Sequence, residues 1–178
     1  MKARGVSYST SPQLEARRAA ALGEIQLGEL LAAGVKVSLL TDHMASISCD
    51  PFASMRTLFA LHSHRIGARV PLTLKRLLQL ATLDGAVDLG IADRTGSITP
   101  GKRADLVLLR ATDLNMAPVS DSYEAVVSFA LPANVDTVVI DGRILRRAGK
   151  FTAFDDAKIV AEAREAALAL RDKAKWPT

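Results

Sequence analysis

Cysteine is almost absent: Cys49 is the only one in 178 residues. A single thiol cannot close an internal disulfide. That excludes a disulfide-stapled scaffold and fits a reducing compartment, so the chain is expected to be cytoplasmic. Aromatic residues are scarce, at 4%. The core must then rest on Leu, Val, Ile and Ala, and the stacking platforms of a single-strand nucleic-acid binder are missing. No apolar run approaches the roughly 18 residues of a membrane span. The opening MKARGVSYST has no apolar stretch of signal-peptide length. Neither a nucleic acid nor a membrane is therefore expected as a partner.

What is present supports a packed domain, because apolar residues make up 49% of the chain. The net charge is +4, but the basic residues are dispersed. Their densest group, Arg143, Arg146 and Arg147, flanks a predicted hairpin and reads as a solvated face.

Residues 5–9 read as a strand ended by Ser11-Pro12. Residues 24–33, EIQLGELLAA, carry Ile25, Leu27, Leu30 and Leu31 at helical spacing, with Gly34 as a left-handed stop. Residues 35–40 read as the next strand. This order predicts a βαβ unit with parallel strands. Asp50 then caps a helix whose first residue is Pro51. Further helices are expected at 74–82 and 84–89.

The character changes after Ile91. Turn residues in GSITPGKRADLVLLR lead into a strand at 104–109, and residues 123–129 read as another strand. Asp141-Gly142, between 135–140 and 143–147, is the dipeptide favoured in a type I′ hairpin turn. Asp155 opens a long amphipathic helix reaching about residue 173.

Two readings fit Asp42. It ends a predicted buried strand, and in parallel α/β folds functional groups gather at the carboxyl ends of strands. A carboxylate there could hold a metal or take a proton from water; it could equally cap the loop or the next helix. Its neighbour His43 would point to the opposite side of an extended segment. His62 and His64 spell His-x-His, but they fall on a predicted helix, where residues two apart do not face each other. Cys49 has no evident activating base. GSITPGKRAD lacks a P-loop ending and runs into a strand, so it reads as a structural turn.

Several segments together resemble the metal-dependent amidohydrolase superfamily, in particular its cytosine deaminase and chlorohydrolase-like branch. They are LGIADRTGSITPGKRADLVLL and NVDTVVIDGRILRRAGK, with LLAAGVKVSLLTDH, DPFASMR and SYSTSPQLE upstream. The resemblance implies an α/β fold: the C-terminal part of a (β/α)8 barrel, about strands seven and eight with their helices. Part of the family's small β-sandwich and a C-terminal helix would follow. Residues 1–90 would be the partial barrel, 91–150 the partial sandwich and 151–178 the helix.

The implied activity is hydrolysis of C–N bonds (amide, amidine or deamination) or C–Cl bonds in a small-molecule substrate. A divalent metal, Zn or Fe, is implied as cofactor. Asp42 matches the strand-eight Asp that binds or adjoins the metal and accepts a proton from the attacking water. Glu15 and His43 would lie near the substrate loops.

The family's strand-one His-x-His and its middle-strand histidines have no counterpart here. A catalytic zinc takes about three protein ligands, so this chain alone is expected neither to bind the metal nor to be active. Unpaired parallel edges imply a homo-oligomer or association with a missing N-terminal part. The alternative is a non-catalytic assembly or binding module derived from the same fold. A weaker idea is a new metal site across an oligomer, built from Asp42, His43 and His62 or His64.

Overall fold

The computed structural model describes residues 1–22, 26–42, 44, 46–63 and 71–176. His43 and His64 lie outside the described residues.

The first strand, β1 (Tyr8–Thr10), leads into helix α1 (Pro12–Leu22). Helix α2 (Leu27–Ala32) then leads through Gly34, at φ +69°, into β2 (Val37–Leu39). The two strands are parallel, with Tyr8 opposite Val37 and Thr10 opposite Leu39. This is the expected βαβ order with an additional helix, α1; β1 starts later and ends one residue later than expected, and β2 is shorter at both ends. Helix α3 (Pro51–Ser63) starts where Asp50 predicted, and Asp50 Oδ1 accepts from the Phe52 N–H at 2.8 Å. Helices α4 (Leu74–Leu80) and α5 (Leu83–Asp88) follow, the former capped by Thr73, whose hydroxyl accepts from the Arg76 N–H.

The later residues form an antiparallel sheet, ordered β3 (Leu106–Leu109), β4 (Val135–Ile140), β5 (Arg143–Arg147) and β6 (Lys150–Phe151). Asp141 and Gly142 take φ of 50° and 76°, the double left-handed geometry that a type I′ turn demands. Helix α7 (Asp156–Ala174) is capped by the Asp155 side chain, as its sequence requires.

One expectation fails. Residues 123–129 are not a strand. Asp121 Oδ1 accepts from the Glu124 N–H at 2.8 Å and opens a short helix, α6 (Ser122–Glu124), which continues as a π-helical turn over Ala125–Phe129. Ala125, Val127 and Ala130 are buried in one apolar cluster with Leu58 of α3 and Leu77 and Leu80 of α4. β-branched residues prefer strands only weakly, and here packing against helices overrides that preference.

That cluster is the core, and it joins both halves of the chain: Leu27, Val37, Phe52 and Met55 meet Met116 and Val127. Arg56 crosses the same junction, donating to the Ala130 carbonyl at 2.8 Å. The antiparallel sheet is tied on through polar groups. Asn134, 2% exposed, donates from Nδ2 to Asp113 Oδ2 at 2.7 Å and to Asn115 Oδ1 at 3.0 Å. Its Oδ1 accepts from the Leu131 N–H at 2.8 Å and from Asn115 Nδ2 at 3.0 Å. Arg110 donates from Nε to both Asp113 oxygens and from Nη2 to the Ala133 carbonyl. The hydrogen bond from Asn134, followed by that from Arg110, holds the Asp113 carboxyl below the usual carboxylate range. By contrast, α7 is exposed along its whole length, including Ile159, Val160, Leu168 and Leu170.

Candidate functional site

The carboxyl ends of β1 and β2 lie side by side, and the chain gathers hydroxyl and carboxyl groups there. Ser9 and Ser38 hydroxyls pair across the strands at 2.9 Å. Beyond the strands, the Ser11 hydroxyl donates to the Thr41 carbonyl at 3.3 Å. The residue after that carbonyl is Asp42.

Asp42 is exposed and has φ of +61°. A non-glycine residue in the left-handed region is uncommon, and Asp is among those that tolerate it. The left-handed residue turns the chain just beyond the carboxyl end of β2, which stops at Leu39. Such outliers concentrate at functional sites. The loop beyond is braced at both ends. The Thr41 hydroxyl and Cys49 Sγ are 3.3 Å apart, and Arg17 donates to the Ser46 carbonyl.

Glu15 sits in the first turn of α1, where a negative charge suits the helix dipole. Its Oε1 accepts from the Ser11 N–H at 3.0 Å, the Thr10 hydroxyl at 3.0 Å and the Tyr8 hydroxyl at 3.3 Å. Thr10 is fully buried. Glu15 thus fastens the start of α1 to the end of β1, and Ser11 carries that bracing across to Thr41.

Tyr8, Thr10 and Ser11 were not singled out in the sequence. The available signal was Ser11-Pro12 followed by Glu15: proline at the first helical position, with an acid reaching back to the cap. Of the residues that were singled out, Asp42 and Glu15 stand at the same end of the two-stranded sheet. His62 is buried in α3, and Cys49 is exposed.

Tyr8 has a consequence for pH. Its phenol is raised above the ordinary 10.0, chiefly by burial, then by the negative charge of Glu15 and the hydrogen bond to it. The folded state keeps this proton to higher pH than the unfolded chain does. The associated stability is complete below about pH 10 and is lost as pH rises through the folded value. Tyr8→Phe is expected to flatten this alkaline loss in urea unfolding measured from pH ~8 to ~11. An equally steep loss in the variant would exclude Tyr8 as its source.

Among the described residues, no group of three or more His, Cys, Asp or Glu side chains converges to hold a metal. Asp42 supplies at most one of the roughly three protein ligands that a catalytic zinc takes. The described side chains do not, among themselves, fit a catalytic metal.

The Amidohydrolase family profile matches residues 2–145. The chain belongs to the amidohydrolase family. Over 165 residues it is 33% identical to 5-methylthioadenosine/S-adenosylhomocysteine deaminase of Desulforudis audaxviator, covering 92% of this chain and 38% of that protein. It is 36% identical over 167 residues to 5'-deoxyadenosine deaminase of Methanothermobacter thermautotrophicus, covering 93% and 38%. An adenosine deaminase from Xanthomonas campestris, solved with bound zinc, superposes with a TM-score of 0.89 at 31% identity, over 96% of this chain and 39% of that one. The fold is also similar to that of the atrazine chlorohydrolase of Arthrobacter aurescens, at 24% identity and a TM-score of 0.76, over 90% of this chain and 36% of that one. The chain therefore spans under two-fifths of the length of these amidohydrolases. Among the described residues, no helix is long and apolar enough to cross a membrane.

Proposed function

We propose that this chain is the C-terminal part of a metal-dependent amidohydrolase that cleaves a C–N bond, and that it is inactive until joined by the rest of the fold. In this reading β1 and β2 are the last two strands of a (β/α)8 barrel, and β3–β6 are part of the small β-sandwich beside it. Residues 1–90, 91–150 and 151–178 are the barrel part, the sandwich part and the terminal helix. The observation that carries the reading is Asp42, held off the carboxyl end of β2 at φ +61° in a chain of this family.

Asp42 accepts the proton that the attacking water gives up as it adds to the carbon of the C–N bond. Asp42 passes this proton to the departing amine, which leaves as ammonia as the added hydroxyl becomes the carbonyl oxygen. The adenosine-type deaminases among the relatives favour an exocyclic amine on a purine over a chloride leaving group. Glu15 keeps the β1–α1 corner in register with Asp42, and with His43 borders the substrate. Zn or Fe would be held by Asp42 together with ligands from the remaining polypeptide, and would supply a more acidic bound water.

The test is co-expression with the polypeptide encoded immediately upstream of Met1. Purified without a histidine tag and given zinc, the complex is expected to hold about one zinc per pair and to release ammonia from 5'-deoxyadenosine. A folded, zinc-loaded complex inert toward adenosine-type substrates would overturn the deaminase reading.

A second reading, a non-catalytic assembly module, is favoured by α7, whose apolar residues are all exposed. Light scattering on the 178-residue chain discriminates. A homo-oligomer that dissociates on removal of α7 supports assembly, and a monomer with a cooperative melt removes it.

A further inference from the structure

The ladder between β1 and β2 runs out at a proline. The Tyr8 N–H donates to the Lys36 carbonyl and the Leu40 N–H to the Thr10 carbonyl, both at 2.9 Å. In a parallel ladder the bonds are evenly spaced, so the next rung calls for an N–H from residue 12 to the Leu40 carbonyl. Residue 12 is proline, which has no N–H. The Ser11 N–H is already taken by Glu15 Oε1 at 3.0 Å. The main chain at the end of β1 therefore has no donor left for the segment that leads to Asp42.

The Ser11 side chain supplies one. Its hydroxyl donates to the Thr41 carbonyl at 3.3 Å. That carbonyl and the Asp42 N–H belong to one planar peptide group. Holding the oxygen holds the plane about which Asp42 takes its φ of +61°. Ser11 can hold it because Ser11 is itself fixed. It is 4% exposed, and its carbonyl accepts from the Glu15 N–H at 2.9 Å while its own N–H donates back to the Glu15 carboxylate. The hydroxyl pair of Ser9 and Ser38, at 2.9 Å, joins the same strands but does not involve the Thr41 carbonyl.

We propose that Ser11 is a positioning residue: its hydroxyl stands in for the donor that Pro12 lacks and holds the Thr41–Asp42 peptide so that Asp42 keeps its left-handed backbone. The backbone effect belongs to this chain alone. Its consequence for catalysis rests on the hydrolase reading above, with Ser11 acting only through Asp42.

The first test needs only the 178-residue chain. Scalar couplings and chemical shifts in NMR report φ at Asp42. Without the tether a non-glycine residue is expected to relax to negative φ, so Ser11→Ala should move Asp42 out of the left-handed region. Ser11→Thr, which keeps a hydroxyl, should not. Ser9→Ala is the control, since it removes a hydroxyl bond between the same strands and should leave Asp42 in place. A Ser11→Ala chain whose Asp42 stays left-handed overturns the proposal, as does a Ser9→Ala chain that loses the turn equally. If Ser11→Ala does not fold, Ser11→Cys, whose thiol is a weak donor, takes its place with the same two outcomes.

The second test uses the zinc-loaded complex with the upstream polypeptide. Ser11→Ala should lower kcat for ammonia release about 10-fold with KM nearly unchanged, and Ser11→Thr should restore it. An unchanged kcat overturns the proposal. The two readings fail separately. If Ser11→Ala displaces Asp42 but the unaltered complex releases no ammonia, the hold of Ser11 on Asp42 stands and the hydrolase is removed. An active complex indifferent to Ser11→Ala does the reverse.

Discussion

Asp42→Asn in the completed enzyme is expected to lower kcat by about 10³-fold while leaving assembly of the two polypeptides intact. General-base groups contribute typically ~10² to ~10⁴ in rate, and Asn keeps the shape of the side chain but cannot take a proton at neutral pH. The choice of Asn follows from the backbone. Asp42 sits at φ +61°, and Asn is, with Asp, among the side chains that tolerate this region. Asp42→Ala would mix lost chemistry with backbone strain of the order of 1 kcal/mol. Steady-state ammonia release, measured beside zinc content and complex affinity, separates these effects. A variant that keeps more than about one-tenth of the parent kcat, with zinc bound, would remove Asp42 from the chemistry.

Asn134→Ala is expected to destabilise the chain by about 3 kcal/mol. The substitution strands several groups at once. The Leu131 N–H and Asn115 Oδ1 lose their partner, and Asp113 Oδ2 and Asn115 Nδ2 each lose one bond while keeping another, from Arg110 Nε and to the Phe129 carbonyl. Leaving buried donors and acceptors unmade costs more than the net worth of the bonds themselves. Asn134→Asp tests the direction of the network. It replaces the Nδ2 donor facing Asp113 with a second carboxylate, so repulsion should weaken the fold at neutral pH and relax as pH falls through the carboxylate range. Urea unfolding with an unchanged m-value would report stability alone. A loss below about 1 kcal/mol for Asn134→Ala would show that the β4 entry is held by other contacts.

Much of the architecture was legible in short-range chemistry. Asp50-Pro51 started α3, Asp155 started α7 and Asp141-Gly142 turned the β4–β5 hairpin. Each works through atoms a few residues apart, so each survives whatever the rest of the chain does. Apolar spacing placed α2, β2 and α4 to within a few residues. The segment at 123–129 was not legible. Its Val-Val run satisfies a strand pattern, but its environment is the junction of α3 and α4, where Val127 and Ala130 fill the core.

The site divides in the same way. The position of Asp42 at the end of a parallel strand could be read from the sequence, because an apolar run followed by a polar break marks a strand's carboxyl end. The left-handed backbone at Asp42 and the Glu15 bracing could not. Glu15 reaches back to Tyr8, Thr10 and Ser11, and Ser11 reaches Thr41 thirty residues on. Equally hidden was that the Asp88 carboxylate oxygens are buried with no hydrogen-bond partner among the described residues, since burial depends on which helices pack around them.

The order of residues, then, sufficed for the family, for the parallel β1–β2 pairing and for the capped helices, since propensity, capping and turn geometry act over a few bonds. Only the tertiary structure decided that the segment near residue 127 is helical and that Glu15 is a brace. Those outcomes depend on contacts between residues distant in the chain, where packing and desolvation outweigh local preference.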